Sequence, residues 1–207
     1  HRLMMDRIIP GGMACDLAPA SADDVRSLLD DIEHRLPGLI ALYEGKPSLQ
    51  DRVVGTGTVL PDLVHRFGAG GHVGRASSRG FDARRSPSYP PYDDLEFEVP
   101  VFAEGDVHAR VRVRLGEIEQ SLRLMRKILS TLPPGPMRVD LPARAGEGMA
   151  LVEAFRGELM VWVRLGPDGR VLRCHPRDAS WFQWPLLEVA IKDNIVADFP
   201  LCNKSFN

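Results

Sequence analysis

Apolar residues fall at Val25, Leu28, Leu29, Ile32, Leu36, Leu39 and Ile40, in steps of three and four with polar residues between them. That is the spacing of one buried helix face. Ser21 followed by Asp24 marks the expected start, a weak capping box in which Asp stands for the usual Glu or Gln. The run predicts a helix or helix pair to about Tyr43, kinked or divided at Pro37, because a proline ring collides with the preceding turn. A longer helix is predicted by Val107, Val111, Leu115, Ile118, Leu122, Met125, Leu129 and Leu132. It begins after Gly105 and Asp106, makes about seven turns, and accommodates Gly116 at roughly 1 kcal/mol relative to Ala. Pro133 to Pro136, PPGP, end it, since proline has no amide hydrogen and disfavours helix in the residue before it.

From Met149 the period shortens. MALVEAF, ELMVWVRL and RVLRCH read as strands, with the turn GPDG between the last two predicting a hairpin. A final helix is expected over Trp184 to Lys192, then a strand-like NIVADF. Helices first and strands later predict an α+β chain, mainly helical, with a small antiparallel hairpin or sheet near its C-terminal end. The expected organisation is a single-domain fragment over 1–207, with a helical part at 20–135 and a strand-containing part at 149–207. The stretch from Gly55 to Asp94 is dense in Gly, Pro, Ser and Arg and is expected to be irregular, apart from one short helix over Pro61 to Phe67. So long an irregular stretch is usually functional or packed against a partner.

Composition narrows the function classes. The 207 residues carry 26 Lys plus Arg against 28 Asp plus Glu, a net charge of −2, so no global field draws nucleic acid or an anionic membrane. No apolar run reaches the length of a membrane span, and the start HRLMMDRIIPGG has no secretory layout. Neither direct insertion nor export is expected. Three cysteines, Cys15, Cys174 and Cys202, are odd in number and far apart, which points to a reducing compartment. The chain opens on His1 and stops inside an apolar segment, and is expected to be a piece of a longer protein.

Candidate chemistry is sparse. Arg75, Arg79, Arg84 and Arg85 lie among small residues in GRASSRGFDARR. They could hold phosphate or carboxylates, with a solvated loop or subunit contact as the plainer reading. His34, His65, His72, His108 and His175 form no i, i+4 pair and read as surface or structural. Cys174 and His175 are adjacent on a strand and face opposite sides. Trp181 and Trp184, in ASWFQWPLL, read as core or interface residues. EAFRGEL, from Glu153 to Leu159, sets two carboxylates around Arg156 between apolar strands. Either Glu153 or Glu158 neutralises Arg156 in an ion pair, or the guanidinium is held out of water to face a reacting group. Cys202 in ADFPLCNKSFN reads as a metal ligand, a redox thiol or a small buried side chain.

Taken together and in order, several segments resemble the large subunit shared by NiFe hydrogenases and respiratory complex I (NADH:quinone oxidoreductase), where it is the quinone-site subunit. They are GTG, RASSRGFDARR, YPPYDDLEFEVP, GDVHARVRVRLGEIEQS, EAFRGEL and RDASWFQW. The resemblance covers the whole chain as the C-terminal half of that subunit, nearest the energy-converting hydrogenase and formate hydrogenlyase branch. It implies a hydrogenase-large-subunit-like helical core and electron transfer within a membrane-associated respiratory or hydrogenase complex. Arg156 falls on the arginine that projects toward the nickel–iron centre in hydrogenases, with Glu153 and Gly157 matching beside it. Ser180 falls where the family has a Pro-Ser pair, with Ala179 in place of the proline.

Met4 and Met5 stand where complex I commonly has histidine. The family's closing stretch puts Ser205 on its serine and Asn207 on its aspartate, ahead of the second of two CxxC pairs, neither of which is present in these residues. In this register Cys202 falls on an apolar position. The resemblance therefore implies no metal or cofactor ligand in this fragment, with a NiFe centre, or a quinone and a 4Fe-4S cluster in a neighbouring subunit, belonging to the larger assembly. Implied partners are the small iron–sulfur subunit and other peripheral-arm subunits, with the membrane reached only indirectly from a cytoplasmic position and no nucleic acid. A divergent paralogue acting as an assembly module is the alternative.

Overall fold

Asp106 stops the chain in an extended conformation and turns its carboxylate back to accept from Ala109 N at 2.7 Å, satisfying one of the free amides at a helix start. The helix that follows, α5, runs Val107–Ser130, as its apolar spacing predicts. The computed structural model describes residues 7–17 and 19–207; His1, Arg2, Met4 and Met5 lie outside the described residues. A short hairpin of β1 (Ile8–Ile9) and β2 (Gly12–Met13) precedes α1, Pro19–Glu44, which packs on α5. Arg126 of α5 bridges to Asp30 and Glu33 of α1, each at 2.6 Å.

One expectation about α1 is corrected, and of the alternatives for its middle, one helix rather than a pair is found. It starts two residues before Ser21, at Pro19, because proline's fixed φ suits the first helical position, where no amide partner is needed. It also runs undivided through Pro37; that residue is exposed, so the carbonyl deprived of its amide partner can turn to water.

The largest departure lies between α1 and α5. After α2 (Pro47–Val53) and the predicted α3 (Pro61–Phe67) comes α4, Gly71–Ala76, in which every residue is buried. The glycine-rich stretch is therefore core and not a solvated loop. Val59, Val64, Ala69 and Val73 pack with Leu186, Leu187, Ala190, Cys202 and Phe206. Small side chains let the backbones approach closely, a form of burial that leaves no apolar period to read.

At the C-terminal end β3 (Gly146–Ala154), β4 (Gly157–Leu165) and β5 (Val171–Arg177) form an antiparallel meander in that order. The predicted turn at Gly166 to Gly169 joins the last two, and Ala154 pairs with Gly157 across a tight turn at Phe155 and Arg156. The chain is thus α+β, mainly helical, with a small antiparallel sheet. Helix α6 covers Ser180–Ala190, starting four residues before Trp184, because Asp178 Oδ1 accepts from Ser180 N at 2.9 Å and opens the helix there. Trp181 and Trp184 are more than half exposed and are not core residues. NIVADF is not a strand: Val196–Asp198 is a 3₁₀ turn leading into α7, Phe199–Ser205. Pro200 in the first turn of α7 sets the helical φ there.

Candidate functional site

Two glycines fix the tip of the β3–β4 hairpin. Gly71 (φ 62°) opens α4 and Gly157 (φ 132°) opens β4, so close together that a Cβ on Gly157 would sit 2.8 Å from Gly71 N. A Cβ on Gly71 would land on the Arg156 carbonyl. Gly71→Ala combines left-handed strain with a backbone collision, and is expected to destabilise the protein by at least roughly 2 kcal/mol, read as a lower urea midpoint. Full retention of the wild-type midpoint would show that the hairpin tip is free to move.

Gln183 locks the same turn. It is 2% exposed, and its Nε2 donates to Arg156 O at 2.6 Å and to Gly70 O at 3.3 Å. The turn holds the Arg156 side chain against the end of α7, where Nε donates to Asn207 Oδ1 at 2.9 Å and Nη2 donates to the same oxygen. A cavity of about 220 Å³ is lined by Arg156, Ser180, Gln183, Trp184, Phe206 and Asn207. The structure therefore brings together Arg156, Ser180 and Asn207, three positions that the sequence singles out across some fifty residues. Ala179 is buried, and its Cβ lies close to Gly157.

Glu153 sits elsewhere. It pairs across the hairpin with Glu158, and like charges so placed repel unless each has its own cation. Glu153 meets Arg75 at 2.9 Å and Glu158 meets Arg177 at 3.5 Å. The expectation that one of them neutralises Arg156 is corrected: the two carboxylates lie on the paired strands, whereas Arg156 occupies the turn beyond them.

Arg75 is 2% exposed, and besides Glu153 it contacts Glu117 at 2.5 Å, Asp82 at 3.5 Å and the Phe81 carbonyl at 3.0 Å. The other Glu153 oxygen accepts from Ala83 N at 3.0 Å. Burial pushes the Glu153 carboxyl above its ordinary range, against the pull of Arg75. Burial also disfavours the charge of Arg75, yet Glu117 and Glu153 outweigh it and hold the guanidinium more firmly protonated. Arg84 binds Asp82 at 2.6 Å. Arg75 and Arg84 are thus internal ion-pair residues and not an outward phosphate- or partner-binding loop; of the four arginines only Arg85 is exposed.

Sequence reasoning missed Gln183, Arg114 and Arg110, whereas His72 is the structural histidine that one of its two readings allows. Arg114 Nη2 donates to the Asn207 main-chain oxygen, and its guanidinium lies 4.6 Å from the Phe155 ring centre. The one available signal was the row of arginines inside the otherwise apolar RVRVRL at the start of α5.

The described residues do not fit a nickel–iron or iron–sulfur centre. Among the described residues no three His, Cys, Asp or Glu side chains gather as metal ligands. Cys202 is fully buried in the apolar core, Cys174 is exposed on β5, and Cys15 lies beside the β1–β2 hairpin. Cys202 thus occupies the small buried position that the family register implies.

Residues 1–145 match the family model of the 49 Kd subunit of the respiratory-chain NADH dehydrogenase. The chain belongs to this family. Relatives of this chain include the carbon monoxide-induced hydrogenase of Rhodospirillum rubrum, 33% identical over 100% of this chain and 58% of its own length. The corresponding NADH-quinone oxidoreductase subunit from Syntrophobacter fumaroxidans is 32% identical over 91% of this chain and 52% of its own. Formate hydrogenlyase subunit 5 of Escherichia coli is 30% identical over 92% of this chain and 34% of its own. The chain thus spans about half the length of the curated relatives it matches, or less. The family match takes in Arg75, Asp82, Arg84 and Glu117, whereas Glu153, Arg156, Ser180 and Asn207 lie beyond residue 145.

Proposed function

We propose that this chain is the C-terminal portion of an electron-transferring oxidoreductase subunit, of the type that NADH-quinone oxidoreductase shares with the hydrogenase large subunits. It works beside an iron–sulfur subunit in a complex peripheral to the cytoplasmic membrane. Alignment to relatives of both kinds supports this reading. Among the described residues no helix is long and apolar enough to cross a membrane, which accords with attachment through other subunits. A NiFe centre, or a quinone with a 4Fe-4S cluster, would supply the redox chemistry from ligands outside these residues.

The observation that carries the local role is the convergence of Arg156, Ser180 and Asn207 on one cavity. A guanidinium fixed at a rigid turn is a preorganised positive group that stabilises developing negative charge without reorganising. The test is Arg156→Gln and Arg156→Lys in the complete complex, reading electron transfer to an artificial acceptor and retention of the iron–sulfur subunit. The expected result is a rate lowered about a hundredfold by Gln, partly restored by Lys, with assembly intact. The neutral Asn207 favours the assembly-module reading; that reading wins if the rate is unmoved while removal of the chain disperses the complex.

A further inference from the structure

Strand β3 is an outer strand of the three-stranded sheet, and its residues Gly146 to Ala150 are all exposed. Glu153 shows which of its main-chain groups face away from β4: its N–H donates to Tyr89 Oη at 3.1 Å, outside the sheet. Alternation along the strand then turns the N–H and C=O of Glu147, Met149 and Leu151 to the same outer side. Among the described residues no strand or bridge pairs with that side.

The opposite edge is guarded. Pro176 of β5 pairs with Val161, which by the same alternation turns its amide toward β3. The missing N–H of the proline therefore falls on the outer side of β5, where Arg173 and Arg177 add charge, and both devices discourage strand addition. Strand β3 has neither proline nor a basic residue. Its two carboxylates, Glu147 and Glu153, are already bound by Arg164 and Arg75.

The bare edge is complementary to itself. With Met149 facing its own counterpart on a twofold axis, antiparallel pairing sets Glu147 opposite Leu151, Gly148 opposite Ala150 and Gly146 opposite Val152 of the other copy. No like charges meet in this register, whereas an axis at Ala150 would set Glu147 against Glu153. On one face each larger side chain meets a smaller one. A cavity of about 440 Å³ runs along that face over Gly146, Gly148, Ala150, Val161 and Val163, where Ala150 and Val152 of the other copy would lie. We propose that β3 pairs with β3 of a second copy of this chain, joining the two sheets into one across a twofold axis. The same edge serves both copies and β5 is guarded, so assembly stops at the dimer. This contact goes beyond the electron-transfer reading and does not depend on it.

The experiment is sedimentation equilibrium of the full-length protein over a range of concentrations, with amide hydrogen exchange measured alongside. A monomer–dimer equilibrium is expected, in which the Met149 and Leu151 amides exchange more slowly as the dimer fills. Met149→Lys, at a position 69% exposed, sets like charges against each other on the axis and should weaken association roughly tenfold. Leu151→Pro removes an N–H that β4 does not use and should abolish it. Val171→Lys, exposed on β5, should leave it unchanged. A dimer unmoved by both β3 variants, or weakened as much by Val171→Lys, overturns the proposal. A monomer mass at every concentration overturns it too, and slow exchange of the two amides in that monomer would assign the edge to another segment of the same polypeptide.

Discussion

Arg75→Met is expected to lower folding stability by about 3–5 kcal/mol. The guanidinium is the shared partner of Asp82, Glu117 and Glu153, which are 0%, 21% and 5% exposed at their side chains. Asp82 retains Arg84, but Glu153 keeps only the Ala83 amide, so removing Arg75 strands a buried carboxylate. Urea unfolding should show a lower midpoint at unchanged slope. Adding Glu153→Gln to Arg75→Met should recover part of the loss, because it removes the charge left without a partner. A single substitution within about 1 kcal/mol of wild type would mean that water reaches the network.

The second large effect is acid sensitivity set by His72. This ring is fully buried, and its Nε2 donates to the Ser205 carbonyl at 3.1 Å, leaving Nδ1 without a partner. Burial, then the positive charges of Arg114, Arg110 and Arg75, push its pKa down to about 3, against about 6.5 in an unfolded chain. Between those values the unfolded chain binds the extra proton, so stability is full above about pH 6.5 and falls as the pH drops toward 3. One proton contributes about 1.4 kcal/mol per pH unit, or about 4–5 kcal/mol over the window. Glu153 acts in the opposite sense, since its raised carboxyl pKa makes the folded state take up a proton first as the pH falls. His72→Gln should flatten the dependence between pH 6.5 and 5, whatever it does to stability at neutral pH. An unchanged slope in that variant would assign the acid response to other groups.

How far the sequence discloses the molecule depends on how each part is buried. Helix α5, α3 and the strand meander are legible because their apolar residues recur at 3.6 or 2 and turn residues bound them, although β3 and β5 are mostly exposed. Helix α4 has no such signal, since Gly71, Gly74 and Ala76 are buried by backbone proximity. Helix α7 is short and proline-led, and the apolar residues of NIVADF just ahead of it imitate a strand. In the site, Arg156 stands out as a charge between apolar strands, Ser180 and Asn207 are legible only through the family resemblance, and the hairpin then gathers the three. The destination of Glu153 is not legible, because its partner Arg75 lies 78 positions away, in a stretch whose composition reads as solvated loop. Gln183, Arg110 and Arg114 have the same difficulty: their polar contacts are to main-chain atoms, to α7 or to His72 of α4, which only the fold brings near.

Cys202 gives the molecule an internal clock. Its thiol lies between the apolar core and Arg110, so close to Gly57 that a Cβ there would meet the sulfur at 2.8 Å. A thiol reagent therefore reaches it only when α7 lifts from α5, while the exposed Cys174 reacts without waiting. The ratio of the two alkylation rates measures how often the end of α7, and with it the anchor of Arg156, comes undone in the native protein.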